Sequence, residues 1–149
     1  MSAISATGRG FCYGRVQELA DGRLMVPFYG TPADRRDEAQ RLSAVVFSRD
    51  GGQSWPEYTM LCADQADAIR PSETDLLPLS DGRYLAIMRA NARNRLYRSY
   101  SADEGQTWTE PESTDMPGQS PALLRLESGA ILCAYRDRTE GAPGLSCGG

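Results

Sequence analysis

A short motif occurs twice in this sequence, and its repetition limits the folds that the chain can adopt. The motif has the pattern S-x-D-x-G-Q-[ST]-W and covers residues 48–55 and 101–108. A looser unit built around a glycine turn precedes each copy, at 19–24 and 79–84, and a third such unit lies at 126–131. Repetition at this spacing is typical of proteins in which one supersecondary unit stacks on the next. The chain is therefore predicted to consist of consecutive copies of one unit.

Each repeat unit has the pattern of consecutive β-strands. Short apolar runs end in an Asp-Gly or Ser-Gly turn, which is a strong hairpin signal, and a second apolar run follows each turn. A polar stretch then leads to a third run, and the motif turns the chain into a fourth. The predicted strands include 16–19, 24–29, 42–47, 75–79, 84–88, 96–100, 122–126 and 131–135. Long helical periodicity is absent, so the predicted fold class is all-β.

Four antiparallel strands repeated at this spacing are typical of a blade of a β-propeller. Within the motif, the aspartate can accept hydrogen bonds from backbone N–H groups of its own turn. The glycine supplies a left-handed backbone angle, and the tryptophan is expected to bury its ring between neighbouring sheets. A structural role is therefore predicted for Ser48, Asp50, Gly52, Trp55, Ser101, Asp103, Gly105 and Trp108.

Two residue types are missing from the sequence. The chain has no histidine, and all 16 of its positive charges are arginines. Without histidine there is no Ser-His-Asp or Cys-His catalysis and no His-liganded metal site. Without lysine there is no Schiff-base or P-loop lysine. The net charge of −4 argues against a nucleic-acid partner, and we expect neither a metal nor a cofactor.

The sequence also indicates the cellular compartment of the chain. Its cysteines, Cys12, Cys62, Cys133 and Cys147, have no C-x-x-C spacing and are expected to be reduced packing residues. No apolar run approaches the roughly 20 residues of a membrane span, and the N-terminus has no signal-peptide core. We therefore expect no membrane association and, by default, a cytoplasmic location. A secreted parent with a missing N-terminus would have the same features.

The doubled motif resembles the Asp-box, or bacterial neuraminidase repeat, of sialidase-like six-bladed β-propellers. The resemblance covers residues from about 11 to 138. It implies a propeller of the sialidase type, of which this chain holds about two and a half four-stranded blades. The implied division is one blade at 10–60, a second at 71–113 and an incomplete third at 119–149.

A second resemblance concerns residues 72–89. In sialidases a glutamate opens the innermost strand of one blade, and an arginine follows near the end of the second strand. Glu73 and Arg89 match these two positions, whereas Ser72 stands where the family usually has asparagine. The resemblance implies that Glu73 is the base that activates a tyrosine nucleophile and that Arg89 binds the carboxylate of the substrate.

The spacing of Glu73 and Arg89 is also informative without the family. The turn at Gly82 lies halfway between them, so one hairpin places them opposite each other at its far end. The glycine turns and the two motifs are then expected on one face, and Glu73 and Arg89 on the other. An ordinary cross-strand ion pair, worth at most about 1 kcal/mol if exposed, is the alternative interpretation.

Arg136 is the second candidate for carboxylate binding. It follows the turn at Gly129 by the same step that separates Arg89 from Gly82, so we expect it to point toward the same region. Guanidinium groups pair bidentately with carboxylates and stay charged at any working pH. Arg138 is the rival for this role, because loop lengths here are uncertain.

Other parts of a sialidase site have no counterpart in the sequence. No segment matches the Arg-Ile-Pro-like stretch and the acid/base aspartate after it, and the resemblance assigns the tyrosine nucleophile to a blade outside these residues. The expected function is part of a sialidase-like glycoside hydrolase of the exo-sialidase class, which acts on or binds anionic glycans and is inactive as this chain alone. Whether the parent is an enzyme stays open.

Two alternatives remain at this point. The chain is a non-catalytic propeller module that binds a glycan or a protein, or it completes its propeller by oligomerising. The expected partners are an anionic glycan or a sialoside-like small molecule, together with further copies of the chain or the remaining blades of a longer parent. A few blades alone leave open sheet edges, which favour such association.

Overall fold

The computed structural model describes residues 7–32, 42–63, 69–141 and 144–148. All regular secondary structure in these ranges is β-strand, which confirms the predicted all-β class. None of the described residues forms a helix that is long and apolar enough to cross a membrane. The strands form three antiparallel sheets that follow one another along the chain.

The first sheet contains five strands. They are β1 (Thr7–Cys12), β2 (Gln17–Glu18), β3 (Leu24–Pro32), β4 (Leu42–Ser48) and β5 (Glu57–Ala63). The order is β1-β3-β4-β5, and β2 also pairs with β3. Since β1 and β2 pair with successive parts of β3, they form one inner strand that is interrupted at 13–16.

The second and third sheets repeat this strand order with four and three strands. The second sheet has the order β6 (Pro71–Pro78), β7 (Tyr84–Ala90), β8 (Arg95–Ser101) and β9 (Glu112–Ser113). The third has the order β10 (Gly118–Arg125), β11 (Ile131–Asp137) and β12 (Ser146–Gly148). The inner strands β6 and β10 each contain an irregularity near their start.

The same turn joins the first two strands of each sheet. The amides of Leu19, Leu79 and Leu126 donate to the carbonyls of Arg23, Arg83 and Ala130 at 2.8, 2.7 and 2.8 Å. The turn glycines Gly22, Gly82 and Gly129 have φ values of 82°, 86° and 87°. Residues with a Cβ reach these angles only at a cost, so the glycines fix the turns. The predicted hairpin turns are confirmed.

Two apolar clusters hold the three sheets together. The first lies between the first and second sheets and is built from Leu19, Met25, Val45, Phe47, Leu61, Cys62, Leu76, Tyr84, Ala86 and Met88. The second lies between the second and third sheets and is built from Leu77, Leu85, Ile87, Leu96, Leu123, Cys133 and Tyr135. Burial of these side chains is the main favourable contribution to the packing of sheet on sheet.

The two sequence motifs form tight turns with the same hydrogen bonds. We call residues 48–55 the first motif turn and residues 101–108 the second motif turn. In the first, Asp50 Oδ1 accepts from Ser48 Oγ at 2.7 Å and from the Ser54 amide at 2.9 Å. In the second, Asp103 Oδ1 accepts from Ser101 Oγ and from the Thr107 amide, both at 2.8 Å. These bonds agree with the predicted structural role of the aspartates.

The tryptophans differ from the prediction, because both rings are only partly buried. Trp55 packs on one face of the first sheet, and Trp108 packs on the cluster between the first and second sheets. Trp108 Nε1 donates to the carbonyl of Gly105 at 3.1 Å within the turn. This bond keeps one edge of the indole beside the turn, where solvent reaches it.

Candidate functional site

Glu73 and Arg89 meet at the start of the second sheet. Glu73 lies in the irregular part of β6, between Pro71 and Thr74, and Arg89 lies near the end of β7. Arg89 Nη1 donates to Glu73 Oε2 at 3.1 Å, and the side chains are 24% and 18% exposed. The hairpin thus joins them, as the position of its turn predicts. Partial burial strengthens such a pair relative to one in open solvent.

Ser120 brings the third sheet to the same carboxylate. Its backbone N–H and its hydroxyl donate to Glu73 Oε2 at 3.1 and 3.2 Å. Ser120 has a φ of 54°, a left-handed angle that is uncommon outside glycine, and it lies at the irregularity of β10. Bulges of this kind redirect groups near functional sites. One oxygen of Glu73 therefore accepts hydrogen bonds from two neighbouring sheets.

Tyr13 adds a group from the first sheet. It lies in the interruption between β1 and β2 and is partly buried. Burial raises the pKa of the Tyr13 hydroxyl, the negative charge of Glu73 raises it further, and hydrogen bonding with Ser120 offsets part of the rise. Residues from three inner strands therefore meet around Glu73, and Tyr13 is neutral at neutral pH.

A buried aspartate fixes the inner strands just beside this site. Asp75 is 3% exposed, and its Oδ2 accepts from the Leu123 amide at 2.7 Å and from Arg15 Nη2 at 3.2 Å. Arg15 also donates to the carbonyl of Leu123. Asp75 thereby connects the first, second and third sheets. A carboxylate bonded in this way has a structural role and leaves Glu73 as the more accessible acid.

Arg136 lies one strand away from this cluster. Its position on β11 pairs with Gln119, the neighbour of Ser120, and its side chain is exposed. Within the described ranges, Arg136 makes neither an ion pair nor a hydrogen bond through its side chain. Arg138 is exposed as well, and its amide donates to the carbonyl of Pro117 at 3.3 Å. The structure thus joins Glu73 to Arg89 but does not bring Arg136 into contact with them.

The site lies at the end of the sheets opposite the motif turns. Arg23, beside the first glycine turn, donates to Glu104 in the second motif turn at 3.3 Å. The glycine turns and the motif turns therefore share one end. Glu73, Arg89 and Arg136 occupy strand positions at the other end, as the sequence predicts.

The chemistry available at this end is acidic, phenolic and cationic. Arg89 keeps a buried Nε donor with no acceptor among the described residues, and Arg136 offers a free guanidinium. Such groups can bind a carboxylate bidentately. A carboxylate beside a phenol can also exchange a proton with it. No group of three or more acidic, Cys or His side chains within the described ranges is arranged to hold a metal ion.

Sequence reasoning missed the roles of four residues of this region. Tyr13 and Arg15 lie in an irregular stretch, but Tyr13 precedes Gly22 by the same nine residues that separate Glu73 from Gly82, and this step is a signal that could have found it. Ser120 precedes Gly129 by the same nine residues, and Pro121 stands just before the predicted strand 122–126, where a proline is a signal for a bulge. Asp75 stands directly before the apolar run of its predicted strand, and a carboxylate buried there needs hydrogen-bond partners.

Solved structures with a similar fold include two sialidases. A variant of NanB sialidase from Streptococcus pneumoniae is 17% identical with a TM-score of 0.69, over 93% of this chain and 21% of that one. A Hadza microbial sialidase is 21% identical with a TM-score of 0.58, over 90% of this chain and 26% of that one. A protein of unknown function from Dyadobacter fermentans is 23% identical with a TM-score of 0.76, over 93% of this chain and 37% of that one.

These similarities define the fold and the extent of the match. The chain spans between 21% and 37% of the length of these three structures. The predicted sialidase type of β-propeller fold is confirmed, and the number of blades stays a prediction. A comparison with curated proteins finds no match. The sequence itself matches the BNR repeat-like domain over residues 5–142, and the chain therefore belongs to the BNR repeat-like domain family.

Proposed function

We propose that this chain is the carboxylate-binding part of a sialidase-like glycoside hydrolase of the exo-sialidase class, and that it does not turn over substrate by itself. The observation that carries the proposal is the arrangement around Glu73. Arg89 and Ser120 hold this carboxylate at 3.1 to 3.2 Å, and Tyr13 lies beside it. An ion pair on an open surface does not need hydrogen bonds from a neighbouring sheet or a serine with a left-handed backbone angle.

Each residue has a proposed role that follows from its chemistry. Glu73 is the proton acceptor, since its carboxylate lies beside the Tyr13 hydroxyl and its side chain is 18% exposed. Arg89 and Arg136 bind the carboxylate of an anionic glycan. Arg89 positions Glu73 with Nη1 and keeps Nε buried, which leaves Nη2 for the ligand.

The proposed absence of turnover follows from the groups that glycoside hydrolysis needs. One group must protonate the leaving oxygen while another stabilises an oxocarbenium-like centre. The resemblance assigns the acid/base aspartate to a segment that this sequence does not match. Members of such a site act as a unit, so a partial set retains little more than weak binding.

Two measurements on the purified chain test the proposal. With a fluorogenic sialoside we expect no turnover above background. With sialic acid we expect saturable binding with a Kd of about a millimolar, since two arginines without the rest of a site supply only some 4 kcal/mol. Turnover that disappears in Glu73→Gln would contradict the proposed inactivity.

A matched pair of variants makes the binding test specific. Arg136→Ala is expected to lower the affinity for sialic acid about tenfold, the loss of one charge-assisted contact. Arg125→Ala removes an exposed arginine of the same sheet at the opposite end of β10 and is expected to leave the affinity unchanged. Equal effects of the two variants would overturn the assignment of Arg136.

The alternative function is a non-catalytic module that binds a glycan or a protein through the same face. The observation that favours it is the engagement of Arg89 with Glu73, which neutralises part of the cationic site. This alternative predicts binding of sialic acid without catalysis even when the missing blades are present. Retained binding together with inactivity after addition of those blades would support it.

A further inference from the structure

Two aromatic rings contact each other at the end of the first sheet that carries Tyr13. Phe11 on β1 lies opposite Tyr29 on β3, and their ring centroids are 5.5 Å apart with an angle of 33° between the planes. Phe11 is 67% exposed, and Tyr29 is partly buried. Neither ring belongs to the apolar clusters of the sheets. We call Phe11 and Tyr29 the aromatic pair, and exposed aromatic surface outside a core is a candidate ligand surface.

The aromatic pair lies where the other two sheets carry their candidate cations. Tyr29 follows Gly22 by seven residues, and Arg89 and Arg136 follow the turn glycines of their own sheets by the same step. In each sheet this position is near the end of the second strand of the hairpin. The first sheet therefore presents an apolar surface at the end where the second and third sheets present guanidinium groups.

Tyr13 connects the aromatic pair to the Glu73 site. It follows Phe11 by two residues and comes directly after β1. Burial is the main cause of the raised pKa of Tyr13, and the charges of Glu73 and Tyr29 both add to the rise, so Tyr13 lies near both side chains. The aromatic pair is therefore continuous with the proposed carboxylate site.

Asn91 provides a hydrogen-bond acceptor at the same end of the second sheet. It follows β7 directly, and its Nδ2 donates to the Arg70 carbonyl at 2.9 Å and to Ser72 Oγ at 2.8 Å. These two bonds use both hydrogens of the amide. Among the described residues no group donates to Asn91 Oδ1, so this oxygen can accept a hydrogen bond from a ligand.

The aromatic pair lies on the face of the first sheet that packs against the second sheet. Ser43 is opposite Tyr29 on the neighbouring strand, and residues that lie opposite each other share one face of a sheet. Ser43 Oγ is 2.8 Å from Thr74 Oγ1 of β6. Thr74 Oγ1 in turn donates to the carbonyl of Ser72, the residue that Asn91 holds. An aromatic surface and a polar acceptor therefore lie on the two sides of this junction between the sheets.

We propose that the aromatic pair and Asn91 form a subsite for a neutral hexose unit that is linked to the anionic sugar. The C–H face of the hexose lies on the exposed Phe11 ring, and one of its hydroxyls donates to Asn91 Oδ1. The rings and the amide carry no charge, so they suit a neutral sugar with an apolar face and a polar edge. The inference rests on the proposed binding of an anionic glycan and extends it to the second sugar of that glycan.

Calorimetric titration of the full 149-residue chain with sialic acid and with sialyllactose tests this subsite. Sialyllactose carries neutral hexoses on the anionic sugar. We expect it to bind about fivefold more tightly than sialic acid, because the hexose adds contacts with an aromatic ring. In Phe11→Ala we expect equal affinities for the two ligands and an unchanged affinity for sialic acid. Phe11→Tyr keeps the ring and is expected to keep the difference.

A matched variant and an independent measurement locate the contact. Leu124 is another exposed apolar side chain of an inner strand, 52% exposed, but it lies near the Gly129 turn at the other end of the third sheet. Leu124→Ala is therefore expected to keep the full difference between the ligands. In NMR, saturation of the aromatic protons of the protein is expected to transfer to C–H protons of the hexose, and this transfer is expected to disappear in Phe11→Ala.

The outcomes separate this inference from the proposed function. Equal affinities for the two ligands in the unchanged chain, or a difference that persists in Phe11→Ala, would overturn the subsite and leave the carboxylate site standing. Binding of sialyllactose that depends on Phe11, without any binding of sialic acid, would support the subsite and contradict the carboxylate site. Binding of neither ligand would contradict both.

Discussion

The two ends of the sheets are built in different ways. At the end of the glycine turns, the same bonds recur from sheet to sheet, and both motif turns have the same aspartate geometry. At the opposite end, Tyr13, Glu73 and Ser120 each come from a different inner strand. All three lie nine residues before the turn glycine of their own sheet, but the residue type differs from sheet to sheet. Positions that keep their residue type therefore build the frame of this protein, and one position whose residue type changes provides its candidate chemistry.

The largest effect is expected where the inner strands of all three sheets are connected. Asp75→Ala removes the acceptor of the Leu123 amide and leaves Arg15 without its carboxylate. We expect a loss of about 3 kcal/mol in the free energy of unfolding, since the buried Leu123 amide loses its acceptor without gaining water and the inner strands lose their connection. Urea denaturation measures the loss. Asp75→Asn keeps one acceptor oxygen and is expected to lose less. A loss below about 1 kcal/mol for Asp75→Ala would show that the strands do not depend on this group.

The two motif turns can be compared with each other through their glycines. Gly52 and Gly105 have φ values of 87° and 83°, so alanine strains both backbones equally. A Cβ at Gly105 meets Met25 at 2.5 Å, whereas a Cβ at Gly52 meets no atom closer than 3.7 Å. We expect Gly52→Ala to cost about 1 to 2 kcal/mol and Gly105→Ala about 1 kcal/mol more. Thermal unfolding of both variants checks the difference, and equal costs would contradict the packing of the second motif turn on the first sheet.

The two ends are also expected to respond to opposite extremes of pH. Hydrogen bonds from the side chain and amide of Ser54 and from Ser48 lower the pKa of Asp50 from 3.8 to about 2. This group binds fewer protons in the folded state, so its contribution to stability is present above pH 3.8 and is lost as the pH falls toward 2. The difference in stability between the chain and Asp50→Asn should therefore shrink in this window.

Tyr13 makes the stability of the other end depend on pH in the alkaline range. Its raised pKa means that the unfolded chain ionises first, so its contribution is present below pH 10 and is lost as the pH rises further. Tyr84, Tyr135 and Cys133 also have raised pKa values and also make the stability depend on pH. The free energy of unfolding of Tyr13→Phe is therefore subtracted from that of the unchanged chain at each pH. A difference that stays flat above pH 10 would contradict the proximity of Tyr13 to Glu73.

The smallest effect concerns the ion pair itself. Glu73→Gln removes a negative charge beside Arg89, and we expect the affinity for sialic acid to rise two- to fivefold because like-charge repulsion is removed. The free energy of unfolding is expected to change by less than about 1 kcal/mol, since the pair is partly exposed. Calorimetric titration measures the affinity. A large loss of stability would instead assign Glu73 a purely structural role.

Repetition explains which parts of this structure were predictable. The hairpin turns and the third strands lie where the apolar runs and the turn glycines predict them, because local turn chemistry determines both. The register of one hairpin also sufficed to bring Glu73 to Arg89. Tyr13 and Ser120 precede Gly22 and Gly129 by nine residues, as Glu73 precedes Gly82, so the spacing also places them at the same end of their sheets. Their contacts with Glu73 depend on how the sheets pack on one another, which the spacing does not show. The partial burial of Trp55 and Trp108 likewise depends on the neighbouring sheet and the turn rather than on the motif.

The central claim is that the end of the sheets around Glu73 binds a carboxylate. Arginine side-chain resonances of the isotopically labelled chain, followed by NMR during titration with sialic acid, test it most directly. The methyl ester of sialic acid is the control, since it differs only by the charge of the carboxylate. We predict saturable shifts at Arg89 and Arg136, little change at Arg125, and a much weaker response to the ester. Equal shifts with acid and ester, or shifts confined to Arg125, would contradict the account.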